Sequence, residues 1–170
     1  MRLTNQSLIR YMVASFLLGR SVYQPQPDAR KDIVKLQRNA LPVIALPIIM
    51  AEKDNYSDSF TQFTETLFEE FDFEGAIELA EKLAKDAEND ILLRPHAAEL
   101  RRQALLYVFE TETRLYKTGI DLTTFCEKHK IAEIDTACRE VQDSLNNESL
   151  IVSISEGDRI GSQVGRVMQI

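Results

Sequence analysis

Leu8, Ile9, Met12, Val13, Phe16 and Leu17 recur at three-and-four spacing, which predicts an amphipathic helix over residues 5–18, capped by Thr4 or Asn5 and ended by Gly19. Beyond Pro25 and Pro27, Asp28 can cap a second helix in which Ile33, Leu36 and Ala40 alternate with Arg30, Lys31, Lys35 and Arg38. The run Leu41 to Met50 contains Pro42 and Pro47, each lacking a backbone donor, and reads as an apolar connector rather than a regular helix. Residues 57–71 place Phe60, Phe63, Leu67, Phe68 and Phe71 on one side, the pattern of a helix packed by aromatics. Residues 74–88 carry Ile77, Ala80, Leu83, Ala84 and Ala87 at the same period, so a very short turn should fold this helix back on the last. Pro95 suits the first turn of a long helix to about Lys117, striped by Leu100, Ala104, Tyr107, Val108, Thr111 and Leu115 and widened by Leu105, Leu106 and Phe109. So broad an apolar surface predicts a central rod.

From Ile120 the segments shorten. Ile120 and Leu122 predict a brief strand, Thr123 or Thr124 caps a helix through His129, and Ile134, Cys138, Val141 and Leu145 stripe another. Leu150, Val152 and Ile154 alternate as a strand, Ser155 to Asp158 turn, and Val164 to Met168 return as its partner. Helix, helix and hairpin in that order predict a winged helix. The fold class expected is mostly α, a helical-repeat part over residues 1–119 followed by a winged-helix part over 120–170 with a small β-hairpin.

Charge narrows the functions open to such a chain. Residues 1–50 carry seven Lys/Arg against two Asp/Glu, whereas residues 51–100 carry four against fourteen. Nucleic-acid binding over the whole surface is disfavoured, because phosphate neutralisation needs concentrated positive charge. The second short helix would present Arg139 beside Glu133, Asp135, Glu140 and Asp143, which argues against DNA recognition by that element. The longest apolar run, Ala40 to Met50, falls short of the roughly 20 residues that span a membrane. Arg2, Arg10 and Tyr11 to Leu18 imitate a secretory signal, but the apolar core is short and no small-residue cleavage site follows. Cys126 and Cys138 show neither disulfide-scaffold nor metal-ligand spacing, which fits a reducing compartment, cytosol or nucleus.

The stretch Tyr56 to Ala76, above all Phe71-Asp72-Phe73-Glu74-Gly75-Ala76, resembles the e subunit of eukaryotic translation initiation factor three. The likeness continues through Tyr107-Val108-Phe109-Glu110-Thr111, Gly119-Ile120-Asp121-Leu122, Phe125-Cys126-Glu127-Lys128 and the segment Asn146 to Ile154. Leu8-Ile9-Arg10-Tyr11 and Lys31-Asp32-Ile33-Val34-Lys35 look like the two helices that precede this block in the family. The resemblance implies a PCI domain, in which helical repeats run into a winged helix, and the carboxy-terminal portion of a longer family member. It further implies a noncatalytic scaffold in the cytoplasm, assembled with other PCI and initiation factor three subunits and meeting the small ribosomal subunit through the complex. Two other readings stay open, a PCI subunit of the proteasome lid or signalosome, and a winged-helix nucleic-acid-binding regulator.

Catalytic motifs are absent from the sequence: there is no phosphate loop, no His-Glu-x-x-His and no Gly-x-Ser-x-Gly. No cofactor, metal or small-molecule substrate is expected. His96 and His129 read as structural or solvent-facing, and Cys126 and Cys138 as small core residues. The candidate protein interface is the wing strand, where Ile151 and Ser153 face outward beside an open backbone edge. The alternative is an edge covered by the chain's own tail. Arg30, Lys31, Lys35 and Arg38 are candidate contacts to ribosomal RNA or an acidic partner, or simply a solvated basic face.

Overall fold

The computed structural model describes residues 7–22, 39–116, 120–131, 153–156 and 166–169. The described chain is mostly helical and divides into two compact units, Met1–Val108 and Phe109–Ile170, with the division inside one helix. The helix expected from Asp28, the helix striped by Ile134, Cys138, Val141 and Leu145, and the positions Leu150 and Val152 lie outside the described residues.

In the first unit, α1 spans Leu8–Val22 and buries Ile9, Val13, Ala14 and Leu17. It runs past Gly19, the expected stop, because a glycine lowers helix stability by only about 1 kcal/mol and does not forbid helical geometry. The segment expected as an apolar connector rather than a regular helix is helical throughout, with one irregular turn, which corrects that reading. A π-turn covers Leu41–Ala45, and α2 follows at Leu46–Glu52. Pro42 occupies the first turn of the helical run, where a helix has no use for the missing N–H, and Pro47 follows directly on the π-turn. The widened turn lets the Leu46 N–H bond the Leu41 carbonyl, so the chain passes both prolines without leaving helical form.

Helix α3, Ser59–Glu65, starts from a capping box in which Asp58 accepts from the Thr61 N–H and the Thr61 hydroxyl accepts from the Asp58 N–H. A π-turn, Thr66–Glu70, extends it. Phe60, Phe63 and Leu67 are fully buried and Phe68 is half-buried, meeting Tyr107 edge-on with ring centres 6.4 Å apart. Phe71 departs from the expected stripe and stands exposed. The extra residue of the π-turn rotates the next positions by roughly 100° relative to a regular helix. Phe71 itself takes the left-handed conformation, φ 54°, and ends the helix by bonding its N–H to the Thr66 carbonyl.

Asp72 then caps α4, Phe73–Glu88, by accepting from the Gly75 N–H at 3.0 Å. A β-carbon on Gly75 would lie 2.4 Å from the Asp72 Oδ2, so a larger residue there would make the capping carboxylate shift. The Phe-Asp-Phe-Glu-Gly-Ala run is thus a complete stop-and-restart signal, one residue to leave the first helix and one to open the second. Helix α4 returns along α3, since the Ser59 hydroxyl at the start of α3 donates to Asp86 near the end of α4 at 2.5 Å. Ala76, Ala80, Leu83, Ala84 and Ala87 are buried, and the small side chains permit close approach.

A polar joint holds α1 to this hairpin. The Arg10 guanidinium lies 2.7 Å from Asp58 and 3.6 Å from Asp90, with its cationic carbon 5.8 Å above the centre of the Phe60 ring. Tyr56 donates its hydroxyl to Asp58 at 2.8 Å, and Tyr11 donates to Asp90 at 3.0 Å. The other Asp90 oxygen accepts from the amides of Leu92 and Leu93. Burial pushes the Tyr56 phenol up to about 12, and its hydrogen bond to Asp58 adds to the effect. Burial acts to raise the Asp90 carboxyl, but the Leu92 and Leu93 amides, the Tyr11 hydroxyl and the Arg10 charge outweigh it and hold the group below its ordinary value.

Pro95 sits in a 3-10 turn, Arg94–His96, that leads into α5, Ala97–Tyr116. Leu100, Ala104, Leu105, Leu106, Tyr107 and Val108 are buried in the first unit, and Phe109 and Thr111 in the second. The stripe ends before Leu115, which was expected on it and is exposed in the last turn of the helix with Tyr116. Arg101 braces α5 against α4 through both oxygens of Glu81, at 2.9 and 2.8 Å.

In the second unit, β1 is Ile120–Asp121 and α6 is Leu122–Lys128, with β2 at Ser153–Glu156 and β3 at Arg166–Gln169. Leu122 opens the helix instead of extending the strand. The order is β1-β3-β2 with both pairings antiparallel, Met168 lying opposite Ile120 and Ile154. Ser155 and Glu156, expected in a turn, pair with Val167 and Arg166 as strand residues. Phe125, Cys126 and Ile131 are buried, and the Phe109 and Phe125 ring centres are 5.2 Å apart.

Two outcomes are expected from these contacts. Phe63→Ala should cost about 3–5 kcal/mol in urea unfolding, the usual loss for a fully buried aromatic, while Glu69→Ala on the exposed side changes stability little. Equal losses would mean that the buried face of α3 is assigned wrongly. The polar joint should also shape the pH profile. Asp90 is depressed in the fold, so its stabilisation holds above the unfolded value near about 4 and is lost as pH falls through the folded one. Tyr56 is raised, so its contribution holds below about 10 and disappears as pH climbs toward 12. Arg10→Met should lower stability at neutral pH by about 1–3 kcal/mol, a half-exposed version of breaking a buried pair, and flatten the acid limb. Tyr56→Phe should flatten the alkaline limb, both read as melting temperature against pH.

Candidate protein interface

The second unit offers a backbone edge. In the order β1-β3-β2, β3 is bonded on both sides and β2 on one, so the outer side of β2 meets no strand among the described residues. Ser153 opens β2 opposite Gln169 of β3, which puts the backbone of this predicted interface residue on the edge strand. Its companion Ile151 lies outside the described residues, as do Arg30, Lys31, Lys35 and Arg38. An open edge presents alternating N–H and C=O groups that another strand can complete, and its chemistry is directional binding, not catalysis.

Around α6 the groups are structural in character. His129, just beyond the end of α6, meets Phe125 with ring centres 4.5 Å apart and planes tilted by 52°. Burial raises the Glu112 carboxyl, with Lys128 acting in the opposite direction. Cys126 is buried, as expected of a core residue, while Cys138 lies outside the described residues. His96 is exposed on the 3-10 turn before α5. Among the described residues no group of three His, Cys, Asp or Glu side chains could hold a metal ion. No helix among them is long and apolar enough to cross a membrane.

The surface of the first unit carries features that the sequence pattern passed over. Ile91 and Leu92 are 84% and 66% exposed in the turn after α4, on a backbone held by Asp90. The readable signal was the pair of large aliphatic residues between an Asp that can form a local turn and Pro95. The spacing of Phe71 from Leu67 fits a regular helix and predicts a place on the buried side. The signal against that assignment was the Asp72-x-x-Gly75 cap that begins immediately after it.

No protein-family model matches the chain. The chain is similar to the E subunit of eukaryotic translation initiation factor 3 from Caenorhabditis briggsae, 26% identical over 167 residues that make up 95% of this chain and 45% of the relative. The protein of the same name from Caenorhabditis elegans is also 26% identical over 95% of this chain and 32% of its own length. That from Anopheles gambiae is 27% identical over 110 residues, 65% of this chain and 22% of the relative. The chain therefore spans less than half the length of these curated relatives.

Proposed function

We propose that this chain is a noncatalytic scaffold subunit of the eukaryotic translation initiation factor 3 complex, with the architecture of a PCI domain. Its helical-repeat part covers residues 1–119 and its winged-helix part residues 120–170. The observation that carries this reading is the likeness to the E subunit of that factor along 95% of the chain. The geometry is of the right kind for such a role. Helices locked by a polar joint give a stiff support, and the outer side of β2, which pairs with no strand among the described residues, offers a place where another sheet can add.

In this reading the chain works in the cytoplasm and joins other PCI and initiation factor 3 subunits through the wing strand at Ile151 and Ser153. It reaches the small ribosomal subunit through the complex. Arg30, Lys31, Lys35 and Arg38 supply a local basic face for ribosomal RNA or an acidic partner, a contact that would weaken with salt.

Affinity purification of the tagged chain followed by mass spectrometry should recover initiation factor subunits and small-subunit ribosomal proteins. Recovery of proteasome lid or signalosome subunits without them would replace this assembly with another of PCI type. Chromatin proteins alone would favour a nucleic-acid-binding regulator. For the joint itself, Ser153→Pro should abolish incorporation into the complex while the isolated chain keeps its helical content, since proline removes a strand donor. Full incorporation of that variant would exclude the wing as the joint. Should it unfold, Ile151→Lys provides the decision, with lost pulldown of neighbouring subunits expected at unchanged melting temperature.

A further inference from the structure

Phe71 stands at the tip of the α3–α4 hairpin with 46% of its surface exposed and its backbone left-handed. That conformation costs a residue with a β-carbon about 1–2 kcal/mol, whereas glycine adopts it freely. The turn is held from both sides. The N–H groups of Phe71 and Asp72 both bond the Thr66 carbonyl, and Asp72 is engaged in capping α4. The ring is therefore presented on a fixed support, which lowers the ordering cost of any docking event.

Its surroundings select the partner. Glu69, Glu70, Asp72 and Glu74 are all exposed beside it in the chain. Between Lys53 and Lys82 the sequence holds nine acidic residues and no Lys or Arg. Lys53 is committed to Glu65 and reaches Glu70 only as a nearby charge, and among the described residues Glu69 and Glu74 form no ion pair. An aromatic ring set among carboxylates repels phosphate, so nucleic acids and anionic lipid surfaces have the wrong sign. The complement is a protein segment with Lys or Arg around an apolar side chain, steered by the carboxylates and anchored on the ring.

We propose that the Phe71 turn is a docking site for a Lys/Arg-rich amphipathic segment of a partner protein. The site lies in the first unit and does not depend on which assembly the chain joins. The test is a titration of the full chain with a fluorescein-labelled synthetic peptide that carries Leu along one helical face and Lys elsewhere, followed by anisotropy. Phe71→Gly suits the left-handed backbone, so it should keep or raise the melting temperature while weakening peptide binding about five- to tenfold. Replacing the Leu residues of the peptide by Ser should weaken binding similarly, and the two changes together should add little, because both remove one contact. Reversing Glu69 and Glu70 to Lys should weaken binding strongly at low salt and less at high salt. Unchanged affinity of Phe71→Gly, unchanged affinity after charge reversal, or tighter binding of a single-stranded RNA than of the peptide would each overturn the proposal.

Discussion

The first unit depends on one cation placed between two carboxylates. Arg10 leaves α1 and meets Asp58 at the start of α3 and Asp90 beyond the end of α4, so a single guanidinium fixes where three elements stand. Both carboxylates have other duties. Asp58 caps α3 and accepts from Tyr56, and Asp90 holds two amides of the following turn and accepts from Tyr11. Taking these groups out of water is costly unless nearly every lone pair is satisfied, and here shared hydrogen bonds offset the cost. The joint therefore specifies the packing of α1 more than it adds to net stability. Apolar burial of Phe60, Phe63 and Leu67 supplies the larger favourable term, and the joint decides which apolar surfaces meet.

The hairpin of α3 and α4 shows how local backbone chemistry redirects an apolar pattern. A regular helix would carry Phe71 onto the buried face with Leu67, adding one more ring to the core. The π-turn and the left-handed Phe71 end the helix one residue out of phase, and Asp72 with Gly75 starts the next one. The restart is held by the Asp72 carboxylate on the Gly75 N–H and by the Asp72 N–H on the Thr66 carbonyl. Stiffness at that turn, set against Ser59 bonding Asp86 at the other end, holds the two helices in register along their length.

How much of this was legible in the sequence depends on the range of each interaction. Helices α1, α3, α4 and α5 were readable because their apolar spacing repeats within a few residues, and burial of Ile9, Phe63, Leu83 and Leu106 follows that spacing. The usual effect of proline on a helix interior predicts a break at 42 and 47, yet Pro42 sits at the first turn and Pro47 directly behind a π-turn, so the run stays helical. The polar joint was not legible at all. Arg10 and Asp58 are 48 residues apart and Tyr11 and Asp90 are 79 apart, and no local pattern marks such partners. Arg10 and Tyr11 lie side by side in α1, and each finds its partner only through the fold.

The candidate interface was harder to read for a different physical reason. A metal site or a nucleophile needs particular side chains at particular spacings, so its sequence signal is specific. A strand edge binds through peptide N–H and C=O groups that every residue except proline supplies, which leaves Ser153 with no chemical mark of its own. Pattern reading also files every large apolar residue as core, although some stand outside. Phe71, Ile91 and Leu92 are such residues, and each is held by a carboxylate that caps or turns the adjoining backbone, Asp72 in one case and Asp90 in the other. An aspartate that fixes the chain next to a bulky apolar side chain does what a mobile loop cannot, since it keeps that side chain from folding back onto the surface. The sequence feature that marks such exposed residues is then the apolar side chain beside a capping or turn-forming carboxylate, which periodicity alone assigns to the interior.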